Sequence, residues 1–223
     1  MRNIENIWVF IGVVFITYFL LSWIYKKLEV GKFEQALQAR NGLRLLNMRH
    51  GLGIVLFGIV FYILCPDLRF LIVQIEIPRL YVFLPYLAIL FISGYMSHLA
   101  AQKVNNSNEN IDQYAYEHPW SYMVFRCVFL FCYEFFFRGV LFFTFLDYFS
   151  LIEAISLTTL LYLVIHLFDS KDKIVGTIPF GIILCLITYE TQSIWYAFVL
   201  HLILSAVYEI SIFYNKTLKT LKS

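Results

Sequence analysis

Apolar residues along the chain gather into long runs separated by short polar stretches, from residue 7 to residue 213. Seven runs can be drawn, at roughly 7–25, 50–65, 80–101, 121–145, 151–168, 174–189 and 194–213. A helix needs about 20 apolar residues to cross the hydrocarbon core of a bilayer, so this pattern predicts seven membrane spans. Trp8, Trp23, Trp120 and Trp195 fall near proposed ends, where their amphipathic rings favour the interface. The second run is short and is closed by Pro66-Asp67-Leu68-Arg69. The first ends at Trp23-Ile24-Tyr25-Lys26-Lys27 rather than at a small-residue cleavage site, which marks a retained span and not a signal peptide. Between the first two runs, residues 26–49 mix charges with Leu and Ala and predict an interfacial or cytoplasmic helix. Asn105-Asn106-Ser107-Asn108-Glu109-Asn110 reads as a flexible polar loop.

Composition sharpens this picture. Hydrophobic residues make up 61% of the 223 and charged residues 14%, whereas soluble domains have about a quarter of their residues charged. No room remains for a sizeable soluble domain. The predicted fold is one all-α, polytopic transmembrane bundle, with helices in 1–119, a motif-bearing set in 120–213 and a short cytoplasmic tail in 214–223. The net charge of +2 matters less than where the cations lie. With the N-terminus outside, the inner segments hold Lys26, Lys27, Lys32, Arg40, Arg44, Arg49, Lys103, Lys171, Lys173, Lys216, Lys219 and Lys222; the outer ones hold Arg2, Arg69 and Arg79. Positive-inside asymmetry therefore predicts an external N-terminus and a cytoplasmic C-terminus. Cys65, Cys127, Cys132 and Cys185 lie in or beside apolar runs without C-x-x-C spacing and read as small hydrophobes. No phosphate-cradling glycine loop and no basic–aromatic patch for nucleic acid is present.

The residues that need explaining are polar ones inside the spans. Glu134 and Arg138 sit in the otherwise apolar fourth run, where each charge costs on the order of 3 kcal/mol at mid-helix. Four residues apart, they share a face and can pair. That pair could be purely structural, pinning one helix to a neighbour, but intramembrane charges are more often functional. The fifth run carries Tyr162 and His166, and the seventh carries His201 and Ser205, each at i, i+4, with Glu209 a further turn along. His50, His98 and His118 lie at span ends and fit interfacial roles. At about 1.5 Å rise per residue, Glu134 and His201 come to similar depths, and His166 lies closer to the inner end. Glu134, His166 and His201 also form a His₂Glu set of the kind that holds zinc with an open water site, although the spacing fits hydrogen bonding without a cofactor equally well.

These residues resemble the successive motifs E-E-x-x-x-R, F-x-x-x-H and H-x-x-x-N of the CPBP family of CAAX-type and bacteriocin-processing intramembrane proteases. Glu134, Arg138 and Gly139 match the second Glu, the Arg and the following Gly. Tyr162 and His166 resemble the second motif, His201 and Ser205 the third. Gly181 and the stretch Thr191-Gln192-Ser193-Ile194-Trp195 resemble the family's glycine-bearing helix and its "TGSIW"-like turn. The similarity covers about residues 120–210. It implies an endopeptidase of a bacterial plasma membrane that cleaves a peptide or lipidated protein within the bilayer. A glutamate and a histidine would activate water, and the last motif would steady the oxyanion. The chain departs from the pattern twice. Tyr133 stands where the first Glu is expected, and a phenol with a pKa near 10 is a poor base; Ser205 stands for Asn. Glu134 would then act as base together with His166. Two other readings remain open: a non-catalytic CPBP-like protein acting in peptide binding, immunity or protein maturation, and a small transporter with a Glu/Arg/His-lined path. The transporter would call for repeated halves, and the sequence has none.

Overall fold

The computed structural model describes residues 4–107 and 119–222, with side chains for 7–104, 120–171 and 173–214. Among the described residues seven helices are long and apolar enough to cross a membrane, and there is no strand. They are α1 (Ile4–Lys27), α2 (Gly42–Leu64), α3 (Leu80–Ser107), α4 (Trp120–Leu146), α5 (Leu151–Phe168), α6 (Lys171–Thr191) and α7 (Ile194–Lys222). The chain is thus an integral, multi-pass membrane protein. The outward faces of the helices carry Val9, Val13, Ile16, Phe91, Ile92, Ile152 and many other large apolar side chains, the surface a lipid environment requires.

Three boundaries differ from expectation. The second helix begins at Gly42, well before residue 50, because its early arginine can fold back onto the protein. Arg49 donates through Nη1 to the Gly31 carbonyl (2.9 Å) and through Nη2 to Ser22 Oγ (3.1 Å). The segment 26–49 is therefore not one interfacial helix; it holds a four-residue helix, Phe33–Ala36, and then the start of α2. Helix α3 runs on to Ser107 and takes in the first half of the expected polar loop. Residues 108–110 of that loop, and His118, lie outside the described residues. The expected tail after residue 213 continues α7 as helix to Lys222.

Helix α4 is the hub of the bundle. Its apolar window is 83% buried, against 17–39% for the other six. It contains a π-helical stretch, Phe135–Leu141, and α2 contains another, Ile54–Ile59. Such widened turns cluster at functional sites. The two helices press together where α2 offers glycine: a Cβ at Gly53 would lie 2.4 Å from the Phe129 ring, and one at Gly58 2.4 Å from Cys132 Sγ. Small residues at such crossings let backbones approach closely in a membrane, where there is no hydrophobic drive between helices. Phe57 fills the seam, its ring 4.6 Å from Tyr18 and 4.7 Å from Phe136.

The remaining helices are fixed by local chemistry. Ser150 and Glu153 form a capping box that starts α5, Glu153 accepting from the Ser150 backbone N–H (2.9 Å) and hydroxyl (2.7 Å). Between α6 and α7, Gln192 adopts φ 50°, a left-handed conformation that favours glycine. The "TGSIW"-like turn has its glycine at this position. Trp195 Nε1 then donates to the Ile72 carbonyl (2.7 Å), tying the start of α7 to the chain that follows α2.

The Gly58 crossing is testable. Replacing Gly58 by Leu should destabilise the protein by about 1–3 kcal/mol or more, the usual range for overpacking, seen as a lower Tm in detergent. Gly58→Ala should cost less, and adding Cys132→Ala should restore part of that loss.

Candidate active site

The site begins with the Glu134 carboxylate, fully buried just before the π-helical stretch of α4. Arg138, also fully buried, lies one turn on with Nε 3.4 Å from Glu134 Oε2. Its guanidinium sits over the Tyr162 ring, 4.4 Å from the centroid. A desolvated cation gains on the order of 2 kcal/mol from an aromatic face. The other carboxylate oxygen, Oε1, accepts from His201 Nδ1 at 2.5 Å. Glu134 thus joins α4 to α7 through a charge-assisted hydrogen bond.

His166 takes a different partner. It opens a 3₁₀ turn, His166–Phe168, at the end of α5. Its Nδ1 donates to Asp169 Oδ2 at 2.7 Å, and its Nε2 lies 3.5 Å from the Tyr133 hydroxyl. Tyr133 and Tyr162 stand between the two histidines. The Tyr162 ring is 4.7 Å from His166 and 6.5 Å from His201; the Tyr133 ring is 6.5 Å and 5.9 Å away. Ser205, one turn beyond His201, accepts from Arg126 Nη2 (3.3 Å), and Arg126 Nε reaches Glu209 Oε1 (3.2 Å).

The motif residues therefore converge, but in a different pairing from the expected one. Glu134 engages His201, while His166 is set apart behind the two tyrosines. As arranged, Glu134, His166 and His201 do not close into a ligand set, and among the described residues no three His, Cys, Asp or Glu side chains are grouped to hold a metal ion. The candidate zinc set Glu134, His166 and His201 is not such a group: Glu134 hydrogen-bonds His201, while His166 pairs with Asp169.

A cavity of about 620 Å³ gives the site access. Residues of all seven helices line it, together with part of the connection between α1 and α2. Tyr133, Tyr162, His166, His201 and Ser205 line it, as do Lys26, Glu29, Lys32 and Lys173. Glu134 and Arg138 lie behind the wall. Beyond them Phe61, Phe136, Leu141 and Phe142 pack with no exposure.

Asp169 and the Arg126–Glu209 pair escaped the sequence reading. The only signal for Asp169 was its position three residues after His166, which is one 3₁₀ turn. Burial alone would raise its pKa. The His166 hydrogen bond and charge, with Lys173 and Arg49 nearby, outweigh that and hold the carboxyl below its ordinary value. The ionised contact accordingly contributes stability above the unfolded value near 3.9, and that contribution is lost as pH falls through the lower folded value.

Fold and site together define a polytopic membrane protein with a buried carboxylate–histidine centre beside a cavity. Residues 116–207, which run from just before α4 into α7, match the family model of the Rce1-like type II CAAX prenyl endopeptidases. That segment is an Rce1-like domain, consistent with a member of the CPBP family of CAAX-type membrane proteases. No curated protein and no solved structure matches the chain.

The Glu134–Arg138 pair makes a clear stability prediction. Glu134→Gln alone leaves a buried guanidinium uncompensated and should cost about 3–5 kcal/mol, whereas Glu134→Leu with Arg138→Met should recover most of that loss. Unfolding of the purified variants in detergent measures both.

Proposed function

We propose that the chain is a membrane-embedded endopeptidase that cleaves a peptide or lipidated protein by water activated in a histidine and glutamate site, without a cofactor. One observation carries this reading: Tyr133, His166 and His201 line one cavity from three helices, with the buried Glu134 carboxylate hydrogen-bonded to His201 behind them. The Tyr133 phenol, standing where the family's first glutamate is expected, is too weak an acid to serve as base near neutral pH. That role falls to imidazole. His166 Nε2 takes a proton from water as the water oxygen bonds to the scissile carbonyl carbon and the π electrons move onto the carbonyl oxygen. The Ser205 hydroxyl donates to that oxygen. His201, held at Nδ1 by Glu134, turns Nε2 toward the same oxygen and donates to it in its imidazolium form. As the C–N bond breaks, the His166 imidazolium returns its proton to the departing amine.

Arg126 supports Ser205 in this scheme, since its donation to the Ser205 oxygen leaves the hydroxyl hydrogen for the substrate. The cation distribution supports an external N-terminus, with the part of the cavity wall that holds Lys26, Lys32 and Lys173 on the cytoplasmic side of a bacterial membrane. The tyrosine at position 133 also favours a second reading, a CPBP-like protein that binds a peptide without cutting it, as in immunity or maturation.

The two readings separate by comparing protein termini in membranes from cells carrying the wild type, His166→Ala or His201→Ala. Each variant should accumulate normally in the membrane and lose processing by about 10²-fold or more. Identical termini in all three would exclude the peptidase and leave the binder.

A further inference from the structure

We infer that Asp169 is a positioning residue for His166, holding its imidazole in the Nδ1–H tautomer so that the bare Nε2 faces the cavity; this rests on the peptidase reading for its use, though not for its geometry. The contact is short and local. Asp169 Oδ2 accepts from Nδ1 at 2.7 Å, and the Asp169 backbone N–H closes the same turn onto the His166 carbonyl at 2.9 Å. The carboxylate is therefore anchored to the residue it serves. The opposite face of the ring is fixed by Tyr162, 4.7 Å away and nearly perpendicular, at 67°. With Nδ1 engaged, the nitrogen left toward Tyr133 and the cavity is Nε2. A lone pair there is what a general base needs.

Competing uses of Asp169 are weaker. Lys173 lies 3.8 Å from Glu34, and Arg49 is committed to Gly31 and Ser22. Among the described residues the ion pair of Asp169 is with His166. Its depressed pKa agrees, since the carboxylate stays ionised across the neutral range. The site accordingly contains two carboxylate–imidazole pairs, Glu134–His201 and Asp169–His166, each binding Nδ1 and facing the other across Tyr133 and Tyr162. A chain with tyrosine at position 133 thus keeps a carboxylate behind its base, supplied from the following turn of α5.

The test is ¹⁵N-histidine NMR of the full-length protein in nanodiscs near pH 7.5, with the His166 signal assigned by its loss in His166→Gln. The wild type should show His166 protonated at Nδ1. Asp169→Ala should shift it to the Nε2–H form or a mixture, and Asp169→Glu should restore the Nδ1–H form at least in part. Asp169→Asn, which preserves size, serves if the alanine variant fails to fold, and should also shift the population because its amide can donate to Nδ1. A wild-type His166 protonated at Nε2, or a tautomer unchanged by Asp169→Ala and Asp169→Asn, overturns the inference. For any substrate identified from the membrane comparison, Asp169→Ala should lower kcat at least about tenfold, as loss of an imidazole-orienting partner does elsewhere, with KM little changed. An unchanged kcat overturns it too. Normal processing by His166→Ala would instead defeat the peptidase reading while leaving the tautomer result in place.

Discussion

A carboxylate in the middle of a membrane bundle has to be surrounded by its own solvent, and Glu134 organises this protein around that requirement. Its two oxygens are divided between neighbours, Arg138 on one side and His201 on the other. The arginine in turn lies on the Tyr162 ring. Three helices are thereby fixed in register at one depth. Desolvation makes the arrangement costly to break and of little net stabilising value compared with apolar packing. Its retention on the most buried helix is better explained by what it positions than by what it adds to stability. The widened turn that follows Glu134 and the glycines of α2 that receive α4 belong to the same adjustment.

The membrane architecture was legible because the bilayer imposes a length, and seven apolar runs satisfied it. The start of α2 was not, since arginines at 44 and 49 look like the end of a span until the guanidinium of Arg49 is seen turning back to Gly31. The charged and imidazole residues of the site stood out because each interrupts an apolar run. Their partners could not be read. Spacing along a helix shows which residues share a face, and says nothing of which side chain another helix will present. A straight-helix estimate puts His166 closer to the inner end than Glu134, and it could not show that His166 would pair with Asp169 while His201 takes the glutamate. Asp169 itself looked like the first residue of a polar connection. Arg126 and Glu209, 83 residues apart, are linked only by the packing of α4 on α7.

The match to the Rce1-like family rests on the same stretch that builds the centre, α4 to α7. The first three helices contribute differently. They complete the cavity wall through Tyr18, Ser22, Arg49, His50 and Ser97, and the chain between α1 and α2 adds Glu29, Gly31, Lys32 and Phe33 to it. There Phe33 stacks on Tyr122, and Glu34 accepts from the Tyr208 hydroxyl. A domain recognisable over its last four helices is thus finished as an enclosure by three helices that carry no motif.

Tyr133 and Tyr162 line the cavity, and further along α2 and α4 lie the fully buried rings of Phe61, Phe136 and Phe142. A proton or ion moving from the pocket along α4 toward Phe136 and Phe142 would have to shed its water among fully buried apolar rings, which a low-dielectric interior makes costly.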